Sequence, residues 1–421
     1  MTIGSTYMTR LAVLCVAFAL SISISFAQQV ATVSSVTTAV DSTRSKLKFI
    51  DNGFENASPF NWEIDSSGNI VIGLVYDHER ASFNRANQHW HFQVQGVPGS
   101  NFNFIIKDFD NLWNGQKAYP ISDKTPCFVS ADGKNWELIK TELLPDNTLK
   151  FQVHLKDDKL YVASLEPYSI SDLDKFLNEI KKNPEVEIKT IGKTTEGRPL
   201  EIVRIGNPNA PYQIFLRARA HGFEVGGNWV VQGLIRSLLE KGGAQYLNRY
   251  CLYILPMANK DAVALGRTRF NGQGMDLNRN WDKPANPELC PENYAVENWI
   301  KQMIAKGKKP DLAIDLHNDR EGNLHFSHPI SNGNEYLLNT ERFESLLYEH
   351  TWFTEGRKKA EFRNPGTIGE GLLERYGITA FIYELNFEWS EGLKKVPMGK
   401  DWELLGKQLQ EVFFQYFKGT K

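Results

Sequence analysis

The feature that most constrains this chain is the stretch Arg217–Trp229, which joins an apolar run to a helix-forming run. Tyr212–Leu216 is a mainly apolar run that reads as a buried strand, and residues 230–239 have helical periodicity. His221 and Glu224 stand three positions apart, so they project to the same side once the first helical turn forms. Zinc binds imidazole nitrogen and carboxylate oxygen, so the stretch predicts half of a metal site.

A His-x-x-Glu pair alone occurs by chance in long chains, but three later segments extend the pattern. Residues 274–281 read Gly-Met-Asp-Leu-Asn-Arg-Asn-Trp, and two short apolar strands end near His317 and Glu384. Ligands and catalytic groups of open α/β sheets gather at the carboxyl ends of strands. Two histidines and one glutamate leave the fourth zinc position for water, which is the arrangement of a catalytic site.

These four segments, in this order, resemble the M14 metallocarboxypeptidases, the zinc carboxypeptidase family, from about Tyr168 onward. The resemblance implies a mixed-sheet α/β/α catalytic domain with one zinc ion per chain. It implies that His221, Glu224 and His317 hold the metal. It also implies that Glu384 takes a proton from the attacking water and delivers it to the departing amine.

The same resemblance assigns the groups that bind substrate. Asn278 and Arg279 would hold the terminal carboxylate, which a planar guanidinium binds with two parallel hydrogen bonds. Arg269 would stabilise the oxyanion, and Arg267 is a rival for that role that the sequence leaves open.

One segment departs from the family pattern. Many members carry a tyrosine on a mobile loop that closes over the end of the substrate, and here the corresponding interval before Glu384 reaches Phe362. Either the tyrosine is absent or the loop of residues 361–370 aligns differently. Glu370 at the end of this loop would either favour a positively charged terminal side chain or cap a helix.

The amino terminus has the pattern of a secretory signal peptide, residues 1–27. An apolar run, Leu11–Phe26, follows Arg10 and ends at Ser25-Phe-Ala27 with the small residues that a signal peptidase reads. This pattern predicts a secreted or periplasmic protein, with a linker over residues 28–45. No later segment approaches 18 consecutive apolar residues, so no membrane span is expected after signal removal.

Residues 46–167 carry short alternating strands separated by Gly, Pro, Asn and Asp, which predicts an all-β sandwich ahead of the catalytic domain at residues 168–421. This layout is similar to the cytosolic-carboxypeptidase-like branch of the family. Asp132-Gly133 is a hairpin turn candidate, and Ser171 is the expected cap of the first catalytic-domain helix. His89 and His91 share a strand face, which we interpret as sheet decoration rather than a metal site.

A formal net charge of −2 argues against a nucleic-acid partner. The three cysteines beyond the signal peptide cannot all pair, so no disulfide scaffold is expected; they are Cys127, Cys251 and Cys290.

The sequence therefore predicts a zinc-dependent metallocarboxypeptidase that acts on peptides with a free C-terminal carboxylate, with peptidoglycan stem peptides as one candidate class. Two alternatives remain: a zinc-dependent amide deacylase on the same scaffold, and a catalytically silent binding protein. The complete ligand set together with Glu384 argues against the silent protein. The pattern does not predict the preferred terminal residue, a role for the sandwich or the oligomeric state.

Overall fold

The structure is a computed structural model that describes residues 39–80, 82, 84–109, 111–113, 115–327, 333–356 and 366–418. The predicted signal peptide and Phe362 lie outside the described residues. Of the predicted linker, residues 39–45 are described and belong to a helix, α1, that runs over residues 39–46.

The first domain is a sandwich of two five-stranded sheets, in the orders β1-β4-β12-β8-β9 and β10-β11-β5-β3-β2. Its core is formed by the inward-facing residues of the two sheets, among them Phe92, Phe104 and Val162. A separate short hairpin, β6–β7, extends from it. The strands are β1 (Leu47–Asp51), β2 (Phe60–Ile64), β3 (Ile70–Leu74), β4 (His91–Gly96), β5 (Asn101–Lys107), β6 (Asn111–Trp113), β7 (Gln116–Ala118), β8 (Cys127–Ser130), β9 (Glu137–Ile139), β10 (Thr141–Leu143), β11 (Leu149–His154) and β12 (Lys159–Ala163).

The second domain alternates helices with strands. Its helices are α2 (Ile170–Ile180), α3 (Gly226–Leu239), α4 (Ala244–Leu247), α5 (Lys260–Ala264), α6 (Pro291–Ala305), α7 (Gly333–His350), α8 (Ile368–Tyr376) and α9 (Gly399–Tyr416). Its strands are β13 (Val186–Lys193), β14 (Pro199–Ile205), β15 (Tyr212–Ala218), β16 (Tyr250–Leu255), β17 (Leu312–Asp319), β18 (Asn323–His325) and β19 (Thr379–Asn386).

These strands form one mixed sheet in the order β13-β14-β16-β15-β17-β19-β18. The central strands β16, β15, β17 and β19 are parallel, and every residue of β15 is buried, as expected for a strand covered on both faces. One face packs against α2, α3, α7 and α9, and the other packs against α6 and α8. The α/β/α fold with a preceding β-sandwich, predicted from the sequence, is confirmed.

Several local expectations can be compared directly with the structure. The Asp132-Gly133 turn does connect an antiparallel pair, β8 and β9. The cap of α2 is Ser169 rather than the predicted Ser171, because Ser169 and Asp172 form a reciprocal capping box. Cys127, Cys251 and Cys290 are buried free thiols. Within the described part of the chain, no helix combines the length and apolar character needed to cross a membrane.

His89 and His91 are buried in the sandwich, where their rings contact Asn56 rather than further metal-ligating groups. Burial lowers the pKa of His89 to about 4, and burial together with the neighbouring His89 lowers the pKa of His91 to about 3. Both rings are therefore neutral near pH 7, which is consistent with a structural role in the sheet.

Candidate metal centre and active site

The three central parallel strands bring the predicted site residues to one edge of the sheet. His221 and Glu224 follow the carboxyl end of β15, and His317 lies near the carboxyl end of β17. Glu384 on β19 stands directly opposite His317 in the strand register. Since β15, β17 and β19 are adjacent and parallel, residues that are 163 positions apart (221 and 384) share this edge.

The loop that carries His221 is held in a strained but well-supported conformation. Arg219 has a φ of 60°, in the left-handed region that an arginine rarely occupies. Its buried guanidinium donates hydrogen bonds to the carbonyl oxygen of Gly222 at 2.7 Å and to Oδ1 of Asn228 at 2.8 Å. A Cβ on Gly222 would lie 2.4 Å from the carbonyl oxygen of Arg267, so only glycine fits there. The surroundings therefore fix the turn that aims His221 at the sheet edge.

His221, Glu224 and His317 offer ligand atoms that all lie within 4.8 Å of one another, and all three residues are buried. Glu224 Oε1 lies 2.7 Å from His221 Nδ1, and Glu224 Oε2 lies 2.8 Å from His317 Nδ1. The two Nδ1 atoms are 3.3 Å apart. The three side chains thus face one common point, which is the arrangement that a single ion requires.

Two aspartates that the sequence interpretation did not assign hold the outer sides of the two histidine rings. His221 Nε2 lies 3.0 Å from Asp276 Oδ1, and His317 Nε2 lies 2.5 Å from Asp315 Oδ2. Arg217 in turn donates to both oxygens of Asp315, at 2.7 and 2.5 Å. A carboxylate on Nε2 keeps the proton there and directs the Nδ1 lone pair towards a metal.

The sequence did contain a signal for Asp315. Asp315 and His317 are two positions apart on one strand, so their side chains point to the same face of the sheet. Asp276 lies in the segment 274–281 that the sequence pattern includes, but no spacing in the sequence pairs it with His221. It reaches His221 across 55 positions of sequence, a contact that only the folded chain defines.

This set of donors fits zinc. Two imidazole Nδ1 atoms and one carboxylate lie buried together, and an aspartate orients each histidine. This is the three-ligand arrangement of a catalytic zinc site. The fit concerns the ligand types and their convergence, and it agrees with the ligand set that the family resemblance implies.

The ionisable groups at the site have displaced pKa values. Burial raises the pKa of Glu224, but the two neighbouring imidazoles outweigh it and hold that pKa at about 2. Burial lowers the pKa of His317, yet Asp315 and Glu224 overcome this effect and hold it well above its ordinary value. Burial holds the pKa of Glu384 well above its ordinary value, against the opposing attraction of His317. No hydrogen-bond donor among the described residues reaches Glu384 Oε2.

Four predicted groups that would act on substrate line the same cavity as His221 and Glu224; they are Arg269, Asn278, Arg279 and Glu384. The cavity has a volume of about 680 Å³, which is within the range of small-ligand sites. Arg269 is held by Asp276, with Nε at 2.9 Å and Nη2 at 2.7 Å from Oδ2. Arg267 is not among the lining residues; it donates to the carbonyl oxygen of Tyr76 at 3.3 Å.

Asn278 and Arg279 are positioned by the backbone around them. Asn278 Oδ1 accepts a hydrogen bond from the amide of Ile368 at 3.0 Å, which ties it to the start of α8. Arg279 donates to the carbonyl oxygen of Asn278 at 2.8 Å. Glu370 is buried in the first turn of α8 and does not line the cavity, and its amide lies 3.4 Å from the capping hydroxyl of Thr367.

One wall of the cavity comes from the β-sandwich, which the sequence interpretation did not anticipate. Arg85, Trp113 and Tyr119 of the first domain line it together with the catalytic-domain residues. The Trp113 ring lies 5.8 Å from the Arg269 guanidinium carbon, a distance that permits a cation–π contact. The candidate site is therefore built by both domains.

Comparison with family models gives two adjacent matches. The zinc carboxypeptidase model matches residues 173–346, and the cytosolic carboxypeptidase N-terminal domain model matches residues 51–165. The first range lies within the catalytic domain and ends before the strand that carries Glu384, and the second covers most of the sandwich.

Curated and solved proteins agree with these matches. Cytosolic carboxypeptidase 2 of Macaca fascicularis is 25% identical over 296 residues, which cover 63% of this chain and 35% of that protein. A metallo-carboxypeptidase structure from Burkholderia cenocepacia has a TM-score of 0.77 at 21% identity, covering 89% of this chain and 99% of its own. One from Pseudomonas aeruginosa, in complex with (2-guanidinoethylmercapto)succinic acid, has a TM-score of 0.74 at 22% identity, covering 88% and 100%. The structural likeness establishes the fold, and this chain spans about a third of the Macaca relative's length.

Proposed function

We propose that this chain is a zinc-dependent metallocarboxypeptidase, because residues 173–346 match the zinc carboxypeptidase model and residues 51–165 match the cytosolic carboxypeptidase N-terminal domain model. It removes the C-terminal residue of peptides. The observation that carries this proposal is the convergence of His221, Glu224 and His317 at the edge of a cavity that Glu384 and residues of both domains line.

In this proposal His221, Glu224 and His317 hold one zinc ion, which when bound polarises the scissile carbonyl and acidifies water. Glu384 acts as the general base. Its carboxylate stands on the strand next to His317, and its raised pKa suits a group that must accept a proton and then release it. Asp276 and Asp315 keep the two imidazoles in the orientation that binding requires.

The cationic side of the cavity would bind the negative charges of the substrate. Arg279 and Asn278 hold the terminal carboxylate, because a guanidinium and an amide offer convergent N–H donors to it. Arg269 donates to the oxygen that becomes negatively charged during attack, and Asp276 fixes its guanidinium in advance. A peptide without a terminal carboxylate would lose the first of these contacts.

The direct test offers the purified, zinc-loaded protein matched peptides that differ only in a free or an amidated C-terminus. We expect release of the last residue from the free peptide alone, and loss of that release after the metal is removed with a chelator. Restoration by added zinc is the control for damage during chelation.

Each alternative predicts a different result. Equal release from the free and amidated peptides would contradict a carboxypeptidase and favour the amide deacylase. Absence of release from a panel that varies every terminal residue, with bound zinc verified, would favour the catalytically silent binding protein.

We also propose that the protein is secreted or periplasmic, on the pattern of residues 1–27. A mature amino terminus near Gln28, read by sequencing the protein from the cell exterior or periplasm, is the expected result. Peptidoglycan stem peptides would then be within reach, so a murein tetrapeptide belongs in the panel. A retained leader on a cytoplasmic protein would contradict this location and remove the reason for that substrate.

A further inference from the structure

The segment Thr268–Phe270, which carries Arg269, belongs to neither a helix nor a strand. Its residues are buried, so their backbone N–H groups need partners that regular secondary structure does not supply. Three consecutive buried donors without partners would destabilise this segment and leave Arg269 without a fixed position.

Asp77 of the β-sandwich supplies all three partners. Its Oδ1 accepts the amide of Thr268 at 2.8 Å, and its Oδ2 accepts the amides of Arg269 and of Phe270, the latter at 3.0 Å. Asp77 is itself buried. Burial raises the pKa of Asp77 despite these three donors and the nearby charge of Arg267. A charged carboxylate at this point therefore costs desolvation energy, which the three hydrogen bonds offset in part.

The opposite side of the segment rests on the metal-binding loop. The carbonyl oxygen of Thr268 accepts the amide of Phe223 at 3.1 Å, and Phe223 lies between His221 and Glu224. Asn259 donates to the carbonyl oxygens of Arg269 and Ala220 at 3.1 and 3.2 Å. The backbone of Arg269 is thus clamped between one domain's carboxylate and the other domain's metal loop.

We propose that Asp77 is a positioning residue that fixes the Arg269 backbone from the first domain, so that the guanidinium faces the reacting oxygen. Asp276 then sets the direction of the side chain, and Trp113 of the first domain lies over it. The β-sandwich is in this way a working part of the catalytic centre. This inference rests on the proposed function in assigning the oxyanion to Arg269.

A matched pair of variants separates this role from simple attachment of the domains. Asp77→Asn weakens the clamp. Glu388→Gln alters another buried carboxyl group between the domains, which accepts Ser122 Oγ at 2.7 Å and Thr125 Oγ1 at 2.8 Å but does not contact Thr268–Phe270. We expect Asp77→Asn to lower kcat about 10- to 100-fold with a smaller change in KM. A catalytic group displaced by about 1 Å can lose about 10²-fold in rate. Glu388→Gln should change kcat less than about twofold.

A double-mutant cycle tests whether Asp77 acts through Arg269. In an Arg269→Ala background, Asp77→Asn should reduce kcat/KM by less than about twofold further, because the group that it positions is already gone. An equal further loss in that background, or full activity of a folded Asp77→Asn protein, would overturn the proposal. Asp77→Glu keeps the charge one methylene further out and should be intermediate, which provides a milder variant if Asp77→Asn does not fold.

Hydrogen exchange provides a readout that does not need activity. The amides of Thr268, Arg269 and Phe270 should exchange faster in Asp77→Asn than in the unmodified protein, and at the unmodified rate in Glu388→Gln. Unchanged exchange rates in both variants would refute the clamp. If the unmodified protein releases no residue from any peptide, the proposed function fails while the exchange experiment still decides whether the clamp exists.

Discussion

At the scale of single residues, two buried carboxyl groups of one cavity have pKa values shifted in opposite directions. Burial disfavours the charged form of both Glu224 and Glu384. Glu224 contacts two imidazoles, which overcome burial and lower its pKa. For Glu384, burial together with the negative charges of Asp319 and Glu224 outweighs the attraction of His317 and Arg269, so its pKa is raised. Carboxyl groups separated in this way commonly divide the roles of charged ligand and proton carrier.

The role of Glu384 gives the first residue-scale prediction. Glu384→Gln preserves size but cannot accept and return a proton, so kcat should fall at least about 10²-fold while zinc content stays equal to that of the unmodified protein. Peptide hydrolysis and metal analysis on the same preparation measure both quantities. His317→Ala is the comparison, because it should lose the metal itself. A Glu384→Gln protein that keeps near-normal turnover would remove Glu384 from the mechanism.

At the scale of elements, α6 is held to the end of α8 by the buried carboxylate of Glu297, which is not among the candidate metal ligands. Glu297 accepts Tyr376 Oη at 2.8 Å and the amide of Ala285 at 2.8 Å, and it pairs with Arg375 and Lys301. Burial raises its pKa, but these donors outweigh burial and lower it to about 2. A carboxyl group whose pKa is lower in the folded than in the unfolded chain stabilises the fold when the pH is above its pKa in the unfolded chain. This contribution is lost as the pH falls towards 2.

We therefore expect Glu297→Gln to lower the free energy of unfolding by about 3 kcal/mol at pH 7, as loss of a buried charged partner does. The difference from the unmodified protein should shrink steadily as the pH falls below about 4.5, the carboxyl group's unperturbed value. Urea unfolding at pH 7, 4.5 and 3.5 measures it, with exposed Glu288→Gln as a control that should show no difference. A difference in unfolding free energy between Glu297→Gln and the unmodified protein that stays constant with pH would contradict the lowered pKa of Glu297.

At the scale of the whole molecule, hydrogen bonds and close backbone contacts, some of them buried, join the two domains. Besides Asp77, buried Asn56 donates to the carbonyl oxygen of Val263 at 3.1 Å, and Arg80 donates to that of Gln273 at 2.8 Å. A Cβ on Gly274 would lie 2.8 Å from the amide nitrogen of Arg80, so the two backbones approach very closely there. Separation would leave buried polar groups without partners in both domains.

This interface predicts that both domains of the intact protein unfold together. Calorimetry should show one transition whose calorimetric and van't Hoff enthalpies agree. Circular dichroism in the near and far ultraviolet should give the same midpoint. Two resolved transitions would mean that the interface contributes little, as is usual between loosely joined domains.

The sequence by itself indicated the order of the two domains, and through the family resemblance it indicated the ligand set. The apolar run of β15, the His-x-x-Glu spacing after it and the strand ends at His317 and Glu384 are local patterns, encoded by neighbouring residues through backbone periodicity. Local reasoning failed by two positions at the α2 cap, where Ser169 and Ser171 are equally good capping residues and Asp172 decides between them.

Only the tertiary structure decided which distant groups support the site. Asp276 reaches His221 across 55 positions, and Asp77 reaches Thr268 across 191. Such pairs leave no periodic trace in the sequence, because their distance depends on how sheets, helices and two domains pack together. Local patterns and the family resemblance thus pointed to the residues that would hold the metal. The packing of the two domains decides how those atoms, and the arginine beside them, are held in place.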